Sequence, residues 1–392
     1  MDPDFSGLDD HLEVVGVDGF LVDDDAENAD QYYLSGFDAP DPYVTLYDGD
    51  VHLMMSRSLE YGRAKREARA VTVERNSDFG YLDLKEDHVP YEAHRIAIAR
   101  FLESHGVDSV ATPPTFPLAT ADVLRDQGIE VRPDHESAVE ELRATKTEAE
   151  VEHVRTAQRA NEQAMARAED LIATAAVADD GTLRRDGEAL TSERVREEIE
   201  VTLLHHGCTL SETIVACGSD AAEPHERGSG PLEADESIIV DIFPQHKDSR
   251  YHADMTRTFV RGEPSDAIRE WYDLTDRAKA AALDAVEPGV TGGDVDAAAC
   301  EVYEDAGVPT LRSHPETETG FVHSTGHGVG LEVHEYPRVA EGGAELRPGH
   351  VVTIEPGVYD PEVGGVRIED FVVVTEDGYE NLVDYPKELV VG

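Results

Sequence analysis

The sequence predicts an α/β protein of the α+β kind with two domains, and three observations lead to this prediction. The chain has 392 residues, 40% of them hydrophobic, which is more than one ordinary core accommodates. In its first third, short apolar runs alternate with a helical pattern. In the remainder, two helical patterns followed by strand-like runs occur twice, which indicates a duplicated architecture.

The first domain is predicted to cover residues 1–140. The apolar runs GFLVD, QYYLSGF and AVTVER are predicted strands, and YEAHRIAIARFLESHG is a predicted helix with Ile96 and Phe101 on its apolar face. Asp48 and Gly49 separate two strand-like runs in YVTLYDGDVHLMM, which is a strong hairpin signal. No motif in this part indicates a particular chemistry.

The second domain is predicted to cover residues 141–392. It begins with helices in ELRATKTEAEVEHVRTAQRANEQAMARAEDLI and SERVREEIEVTLLHHG, followed by strands in SETIVACG, SIIVDIF and YHADMTRTFV. Helices at about 265–286 and 292–306 then precede strands in VVTIEPGVY and VRIEDFVVVT. The order of helices and then strands therefore occurs twice.

The chain is strongly acidic, because 84 Asp and Glu residues against 33 Lys and Arg residues give a formal net charge of -51. Such a surface repels nucleic acid and anionic membranes, so neither is expected as a partner. Self-repulsion of this size needs screening, and molar salt shortens the Debye length to about 3 Å. We therefore hypothesise a halophilic protein adapted to a very salty cytoplasm.

The location and the cysteines fit the same expectation. No stretch approaches the roughly twenty apolar residues of a membrane span, and the start MDPDFSGLDDHLE lacks the basic and apolar regions of a secretory signal. A cytoplasmic location is expected. Cys208, Cys217 and Cys300 are too few and too scattered for a disulfide framework or a thiolate zinc site, and buried free thiols are expected.

The stretch HSTGHGVGLEVHE, residues 323–335, is rich in histidine and glycine. It is either a solvated loop or one wall of a reaction site. Glycines in an ordered segment indicate a tight turn or a close approach of the backbone to another group. Neutral imidazole is the commonest protein ligand for transition metals and also exchanges a proton near neutral pH.

Several carboxylates lie on or beside apolar strands, where strand alternation directs them inward: Asp241 in SIIVDIF, Asp254 before MTRTFV, Glu355 at the end of VVTIE, and Glu369 on the same face as Arg367. Burying several carboxylates together is repulsive unless cations neutralise them. Oxygen ligands with one imidazole suit a pair of Mn²⁺ ions and also accept Co²⁺ or Zn²⁺. Two such metals activate water and polarise a carbonyl group, which indicates metal-assisted acyl hydrolysis.

The chain resembles the pita-bread metallopeptidases in four sequence motifs, DMTRTF, HSTGHGVGLEVHE, TIEPGVY and GVRIED. Its N-terminal part resembles the creatinase-type domain that precedes the catalytic domain in proline-specific members. The resemblance implies a creatinase-like α/β domain followed by a pseudo-symmetric pita-bread catalytic domain. A creatinase lacks the metal ligands, whereas this chain fills all the positions in order: Asp241, Asp254, His327, Glu355 and Glu369.

The resemblance also implies how these residues hold two metals. Asp241 is an implied ligand of one metal, and Asp254 and Glu369 are implied bridging ligands. His327 and Glu355 are implied ligands of the other metal. Glu355 is also the implied acceptor of the proton from the attacking water.

Further roles implied by the resemblance concern the substrate. His323, His334 and His225, the last in PHERG, are implied to contact the substrate or to stabilise the developing negative charge. Arg367 is implied to orient the neighbouring carboxylates. Arg338, in VHEYPRV, either receives the terminal carboxylate of the substrate or forms a surface ion pair, and the sequence leaves both interpretations open.

One stretch departs from the family pattern, which has Asp-x-Gly at the first ligand. Here DIFPQHKDSRYHAD has Phe243 and Pro244 in place of the glycine region and a longer connection to Asp254. A longer loop costs little additional closure entropy. We therefore expect the ligands to align and the loop to reshape the substrate pocket.

The expected activity is that of an Xaa-Pro dipeptidase, or prolidase, which cleaves the bond preceding proline. An Xaa-Pro aminopeptidase acting on longer peptides is the close alternative. A non-catalytic pita-bread protein that binds peptides or serves as a scaffold is a remote one, and the intact ligand set argues against it. The expected cofactors are two divalent metal ions, with Mn²⁺ preferred over Co²⁺ or Zn²⁺, and a homodimer is implied.

Overall fold

The computed structural model describes residues 3–392, which divide into two compact units, one ending at Arg143 and one covering Ala144–Gly392. The helices of the first unit are α1 Ser6–Val15, α2 Ala29–Ser35, α3 Ser58–Glu67, α4 Tyr81–Asp87, α5 Pro90–Ser104, α6 Leu118–Asp126 and α7 Ala138–Ala144, with a 3-10 turn at Asn76–Phe79. Its strands are β1 Gly19–Asp24, β2 Tyr43–Tyr47, β3 Val51–Met55, β4 Thr72–Arg75, β5 Ser109–Thr112 and β6 Glu130–Pro133.

The first unit is built on a mixed six-stranded sheet in the order β4-β3-β2-β1-β5-β6. β2 pairs with β1 and with β3 in antiparallel orientation. β4 pairs in parallel with β3, β5 pairs in parallel with β1, and β6 pairs in parallel with β5. Leu21 and Leu46 of the sheet pack in one core with Phe101 and Leu102 of α5. The alternation of apolar runs and a helical pattern therefore predicts this α/β unit correctly.

The local predictions in the first unit have one clear exception. Gly49, with a φ of +101°, lies in the predicted turn between β2 and β3. QYYLSGF is not a strand, because most of it forms α2. Asn28 starts this helix by accepting a hydrogen bond from the backbone N–H of Gln31, and left-handed Gly36 ends it. A short apolar run does not distinguish the 3.6-residue period of a helix from the two-residue period of a strand. Here the capping residues Asn28 and Gly36 favour the helix.

The second unit contains the helices α8 Glu148–Ala173, α9 Ser192–His205, α10 Asp266–Asp284 and α11 Gly292–Asp305, with a 3-10 turn at Asp220–Ala222. The strands up to α10 are β7 Ala176–Val177, β8 Leu183–Arg185, β9 Glu188–Ala189, β10 Cys208–Thr209, β11 Thr213–Cys217, β12 Ile238–Ile242, β13 Gln245–His246 and β14 Met255–Phe259. The later strands are β15 Gly326–Gly328, β16 Glu335–Val339, β17 Val351–Ile354, β18 Gly357–Asp360, β19 Gly364–Arg367, β20 Asp370–Thr375 and β21 Gly378–Asn381.

The second unit repeats one arrangement in two halves, which we call the first half (α8 to β14) and the second half (α10 to β21). In the first half, Ile199 of α9 shares a core with Val240 of the antiparallel sheet β11-β12-β14. In the second half, Val295 of α11 shares a core with Val352 of the sheet β16-β15-β17-β20-β21. The predicted duplication of helices followed by strands is thus present in the fold.

The long helices of this unit begin at side-chain caps that the sequence encodes locally. Thr147 and Glu150 form a capping box at α8, and Thr291 and Asp294 form another at α11. Ser265 caps α10 by accepting a hydrogen bond from a backbone N–H. Within residues 3–392, none of the helices is long and apolar enough to cross a membrane.

Candidate active site

Three predicted carboxylates meet at the sheet of the first half. Asp241 lies on β12, directly opposite Thr256 of β14, and Asp254 immediately precedes β14. Glu369, between β19 and β20, reaches the same place because its backbone N–H donates to the carbonyl of Thr256 at 3.1 Å. All three carboxylates are buried, and one oxygen of each lies within 4.8 Å of one oxygen of the others.

The second half, to which Glu369 belongs, also contributes the other two predicted residues, His327 and Glu355. Nε2 of His327, in the middle of β15, lies 3.1 Å from Oε1 of Glu355 and 3.9 Å from Oδ2 of Asp254. Thr353 joins them, because its hydroxyl donates to Glu355 at 3.2 Å and accepts from the backbone N–H of His327 at 3.0 Å. Thr325 accepts a hydrogen bond from the backbone N–H of Glu355 at 2.8 Å. All five predicted ligand positions thus converge.

The glycines around His327 are needed for close backbone approach. A Cβ on Gly326 would lie 2.7 Å from the carbonyl carbon of Thr353, and a Cβ on Gly328 would lie 2.6 Å from the carbonyl oxygen of Glu335. Real side chains do not tolerate such distances. Strand β15, in the middle of the stretch HSTGHGVGLEVHE, lies between β16 and β17. The stretch is therefore a wall of the site rather than a solvated loop.

The electrostatics of the carboxylates call for a cation. Burial is the largest cause that raises the pKa of Asp254 and of Glu369 well above the ordinary range, and repulsion from neighbouring carboxylates adds to it. Burial also raises the pKa of Asp241, against the opposing effect of Arg367. Within residues 3–392, Oδ1 of Asp241 and Oε1 of Glu369 are buried without a hydrogen-bond partner. Buried oxygens without a hydrogen-bond partner, on carboxylates that approach one another within 4.8 Å, fit divalent cations.

Glu355 differs from the other carboxylates. Burial would raise its pKa, but the hydrogen bond and the charge of His327 outweigh burial and lower the pKa to about 2. Burial likewise would lower the pKa of His327, and Glu355 outweighs it and raises that pKa. Glu355 is therefore an ionised acceptor beside the carboxylate cluster.

Arg367 connects the first ligand to the rest of the site. Its guanidinium donates to Oδ2 of Asp241 at 2.6 Å, to the hydroxyl of Thr256 at 3.2 Å and to the hydroxyl of Tyr359 at 2.9 Å. The hydroxyl of Thr256 in turn donates to Oε2 of Glu369 at 2.7 Å. A buried guanidinium with planar donor groups is suited to orienting carboxylates.

Tyr359 belongs to the site although no sequence motif predicted it. Its hydroxyl lies 3.0 Å from Nε2 of His323 and so links that histidine to Arg367. β18 and β19 pair with Gly357 opposite Arg367 and Tyr359 opposite Gly365. Strand alternation in a predicted hairpin would have placed Tyr359 and Arg367 on one face, which is the signal that could have found it.

The predicted substrate histidines lie around this cluster. The pKa of His323 is lowered to about 4, chiefly by burial, and partial desolvation is the main cause that lowers the pKa of His334, whose side chain is also partly exposed. The ring of His334 packs edge-on against that of His327, with centroids 4.3 Å apart. His225 is exposed, and its charge contributes to both lowered pKa values, as does exposed Arg338 to that of His334. Neutral imidazoles at this position can donate a hydrogen bond.

The loop between Asp241 and Asp254 has backbone contacts of its own. β13 within it pairs with β10, and the backbone N–H of Ala253 donates to Pro244 at 3.0 Å. The backbone N–H of His252 donates to the carbonyl of Gly330 at 2.7 Å. The loop thus returns β14 to register with β12 and contacts the glycine-rich stretch.

Comparisons with known proteins agree with this geometry. The chain is 29% identical over 371 residues to the Xaa-Pro dipeptidase of Pyrococcus furiosus, covering 93% of this chain and 94% of that protein. It is similar to the structure of an Xaa-Pro dipeptidase from Bacillus anthracis, with a TM-score of 0.82, 25% identity and 99% of both chains covered. It is also similar to an X-Pro aminopeptidase from Thermotoga maritima, with a TM-score of 0.77, 25% identity and coverage of 97% and 99%.

Two family models match the chain, one for each unit. Residues 6–145 match the creatinase/prolidase N-terminal domain, and residues 152–376 match metallopeptidase family M24. The second match contains every residue of the carboxylate and histidine cluster. Because this match covers more than half of the sequence, the chain belongs to metallopeptidase family M24 and has a creatinase/prolidase N-terminal domain before its catalytic domain.

Proposed function

We propose that the protein is a metal-dependent Xaa-Pro dipeptidase that hydrolyses the peptide bond preceding proline. The observation that supports this most is the convergence of four carboxylates and one imidazole. Two of these carboxylates, Asp241 and Glu369, each have a buried oxygen without a hydrogen-bond partner among the described residues. The Xaa-Pro dipeptidase from Pyrococcus furiosus, similar over almost the whole chain, supports the substrate class. We place the catalytic domain at residues 141–392 and the creatinase-like domain at residues 1–140.

We propose the following ligands for two divalent cations, with Mn²⁺ as the first choice. Asp241, Asp254, His327, Glu355 and Glu369 would hold these cations, as the family resemblance implies. The oxygen-rich set with a single imidazole favours Mn²⁺ and accepts Co²⁺ or Zn²⁺. When bound, the cations supply water activation and polarisation of the scissile carbonyl.

The remaining chemistry belongs to side chains of the protein. Glu355 accepts the proton of the attacking water, as the family resemblance implies. Arg367 fixes the orientation of Asp241 through a hydrogen bond of 2.6 Å. The neutral imidazole of His334 donates to the carbonyl oxygen as it gains negative charge. His323 contacts the substrate with its ring, because its Nδ1 lies 2.8 Å from the carbonyl of Ser324 and its Nε2 lies 3.0 Å from the hydroxyl of Tyr359.

The outer residues are proposed to recognise the ends of the substrate. His225 and Arg338 are exposed, and both lie close enough to lower the pKa of His334. A guanidinium at this position matches a terminal carboxylate, which favours dipeptides. The similarity to an X-Pro aminopeptidase over 97% of the chain supports the alternative, removal of one residue from longer peptides.

The substrate experiment uses the full chain, purified in molar salt, stripped by a chelator and reloaded with Mn²⁺, Co²⁺ or Zn²⁺. Xaa-Pro dipeptides, Xaa-Pro-Yaa tripeptides and Xaa-Ala dipeptides are then compared by kcat/KM. We expect turnover to depend on metal and to be highest for Xaa-Pro. Preference for the tripeptide would establish the aminopeptidase, and equal turnover of Xaa-Ala would refute proline specificity.

Replacing the proposed proton acceptor tests the mechanism. Glu355→Gln keeps the size of the side chain but removes its basicity, and we expect kcat to fall by a factor of about 10²–10⁴. Wild-type turnover in this variant would refute the assigned role.

We also propose a cytoplasmic homodimer. The net charge of -51 supports a salty cytoplasm, and the family resemblance supports the dimer. Light scattering of the full chain in molar salt measures its mass, and a value close to the 42.9 kDa of one chain would refute the dimer.

A further inference from the structure

A second cluster of metal-binding side chains lies in the first unit and has no part in the proposed peptidase chemistry. One donor atom each of Asp48, His52 and His105 lies within 4.8 Å of the others. Asp48 lies in the turn before β3, His52 lies on β3, and His105 is the residue at the C-terminal cap of α5. Three separate elements thus bring one carboxylate and two imidazoles together.

The two imidazoles are already oriented as metal ligands usually are. Nδ1 of His52 lies 2.9 Å from the hydroxyl of Thr72, and its Nε2 lies 2.9 Å from Oδ1 of Asp48. Nε2 of His105 lies 2.9 Å from Oε2 of Glu74. Metal-bound histidines commonly have their other ring nitrogen held by an oxygen acceptor, which fixes the ring orientation.

The charges also favour a cation. The ring centroids of His52 and His105 are 4.2 Å apart. Within residues 3–392, neither Asp48 nor Glu74 forms an ion pair with a lysine or arginine. Two carboxylates balance the charge of one divalent ion. The side chains of His52 and His105 are only 9% and 14% exposed, which limits competition from solvent.

We propose that Asp48, His52 and His105 form a divalent transition-metal site in the first unit and that Zn²⁺ is the ion it binds. Two imidazoles and one carboxylate suit Zn²⁺ and disfavour Mg²⁺ and Ca²⁺, which select oxygen ligands. Glu74 orients His105 from outside the ligand set. The ion would join the β2–β3 turn, strand β3 and the end of α5, which is a structural role.

The test counts zinc in the full chain. The protein is stripped with a chelator, reloaded with Zn²⁺ in 2 M KCl to suppress binding to the acidic surface, desalted and measured by elemental analysis. We expect wild-type protein to retain one more zinc ion per chain than Asp48→Asn or His105→Gln. Asparagine before Gly49 also favours a hairpin turn, so Asp48→Asn removes the ligand charge with little effect on folding.

A graded variant and a matched control complete the test. Glu74→Gln should lower the zinc affinity of this site about 10–100-fold without removing it, because an outer partner of a ligand is altered. His88→Gln changes another histidine of the first unit, one that lies 3.2 Å from Glu92, and should retain the wild-type zinc count. An unchanged count in both Asp48→Asn and His105→Gln, or an equal loss in His88→Gln, would overturn the proposal. Peptidase activity is a separate readout and should be unaffected by Asp48→Asn.

Discussion

At the scale of single residues, the hydroxyl of Tyr359 connects two side chains of the site. It lies between Nε2 of His323 at 3.0 Å and the guanidinium of Arg367 at 2.9 Å, and Arg367 holds Asp241. One phenol therefore couples a proposed substrate-contacting histidine to the arginine that orients a proposed metal ligand. Its pKa is raised to about 12, chiefly by burial, so it remains a neutral donor at working pH.

Tyr359→Phe should lower kcat about tenfold while leaving KM nearly unchanged. The reason is that removing a buried hydroxyl leaves two polar partners unsatisfied, at a cost of about 1–3 kcal/mol, and disorders His323 and Arg367. Steady-state kinetics on an Xaa-Pro dipeptide measures it. Tyr303→Phe is the matched control, because it removes the buried hydroxyl that donates to Thr275 at 3.1 Å and should leave kcat at the wild-type value. Equal kcat in wild type and Tyr359→Phe would contradict the coupling.

At the scale of elements, the short strand β15 depends on the absence of side chains at its ends. Gly326→Ala should destabilise the protein by about 1–3 kcal/mol, because the new Cβ overlaps the backbone of Thr353. Chemical denaturation in high salt measures this change. Gly62→Ala, in helix α3 with no backbone atom near the added Cβ, should instead stabilise the protein by about 0.5–1 kcal/mol. Equal unfolding free energies of Gly326→Ala and Gly62→Ala would show that β15 and β17 can move apart to accommodate the added Cβ.

The start of β16 depends on a buried ion pair. Nζ of Lys146, just before α8, contacts the carboxylate of Glu335 next to His334, and both side chains are excluded from solvent. Lys146→Met should cost about 3–5 kcal/mol, because it leaves Glu335 buried without a counter-charge. Arg155→Met is the control. Arg155 pairs with half-exposed Glu380 at 2.6 Å, and losing this surface pair should cost less than about 1 kcal/mol. If unfolding free energies showed similar losses for both, the burial argument would be wrong.

These elements also show what the sequence could predict. α8 and α11 were predictable because their capping boxes are local, and the ligand candidates were predictable because each lies in a short distinctive word. QYYLSGF was misassigned because seven apolar-rich residues do not distinguish a strand from a buried helix. The residue that does so, the helix-capping Asn28, lies before this run. The pairing of Lys146 with Glu335 could not be predicted, because it joins residues 189 positions apart and nothing local specifies it.

At the scale of the whole molecule, the surface charge sets the conditions under which the fold persists. A formal net charge of -51 opposes the compact state unless salt screens it. The unfolding midpoint should therefore rise as KCl increases from about 0.1 M to about 3 M, and circular dichroism during heating measures it. An equal osmolality of sucrose controls for solvent exclusion and should stabilise the protein less. Greatest stability in dilute buffer would contradict the hypothesis of a halophilic protein.

The division of the ligand cluster between the two halves has a kinetic consequence. Asp241 and Asp254 come from the first half, and His327, Glu355 and Glu369 come from the second. A cation held by both halves would be released faster whenever the two sheets separate locally, so its residence time would depend on how often this local opening occurs. Pulse-chase exchange of an isotopically labelled ion would then measure the rate of this opening motion.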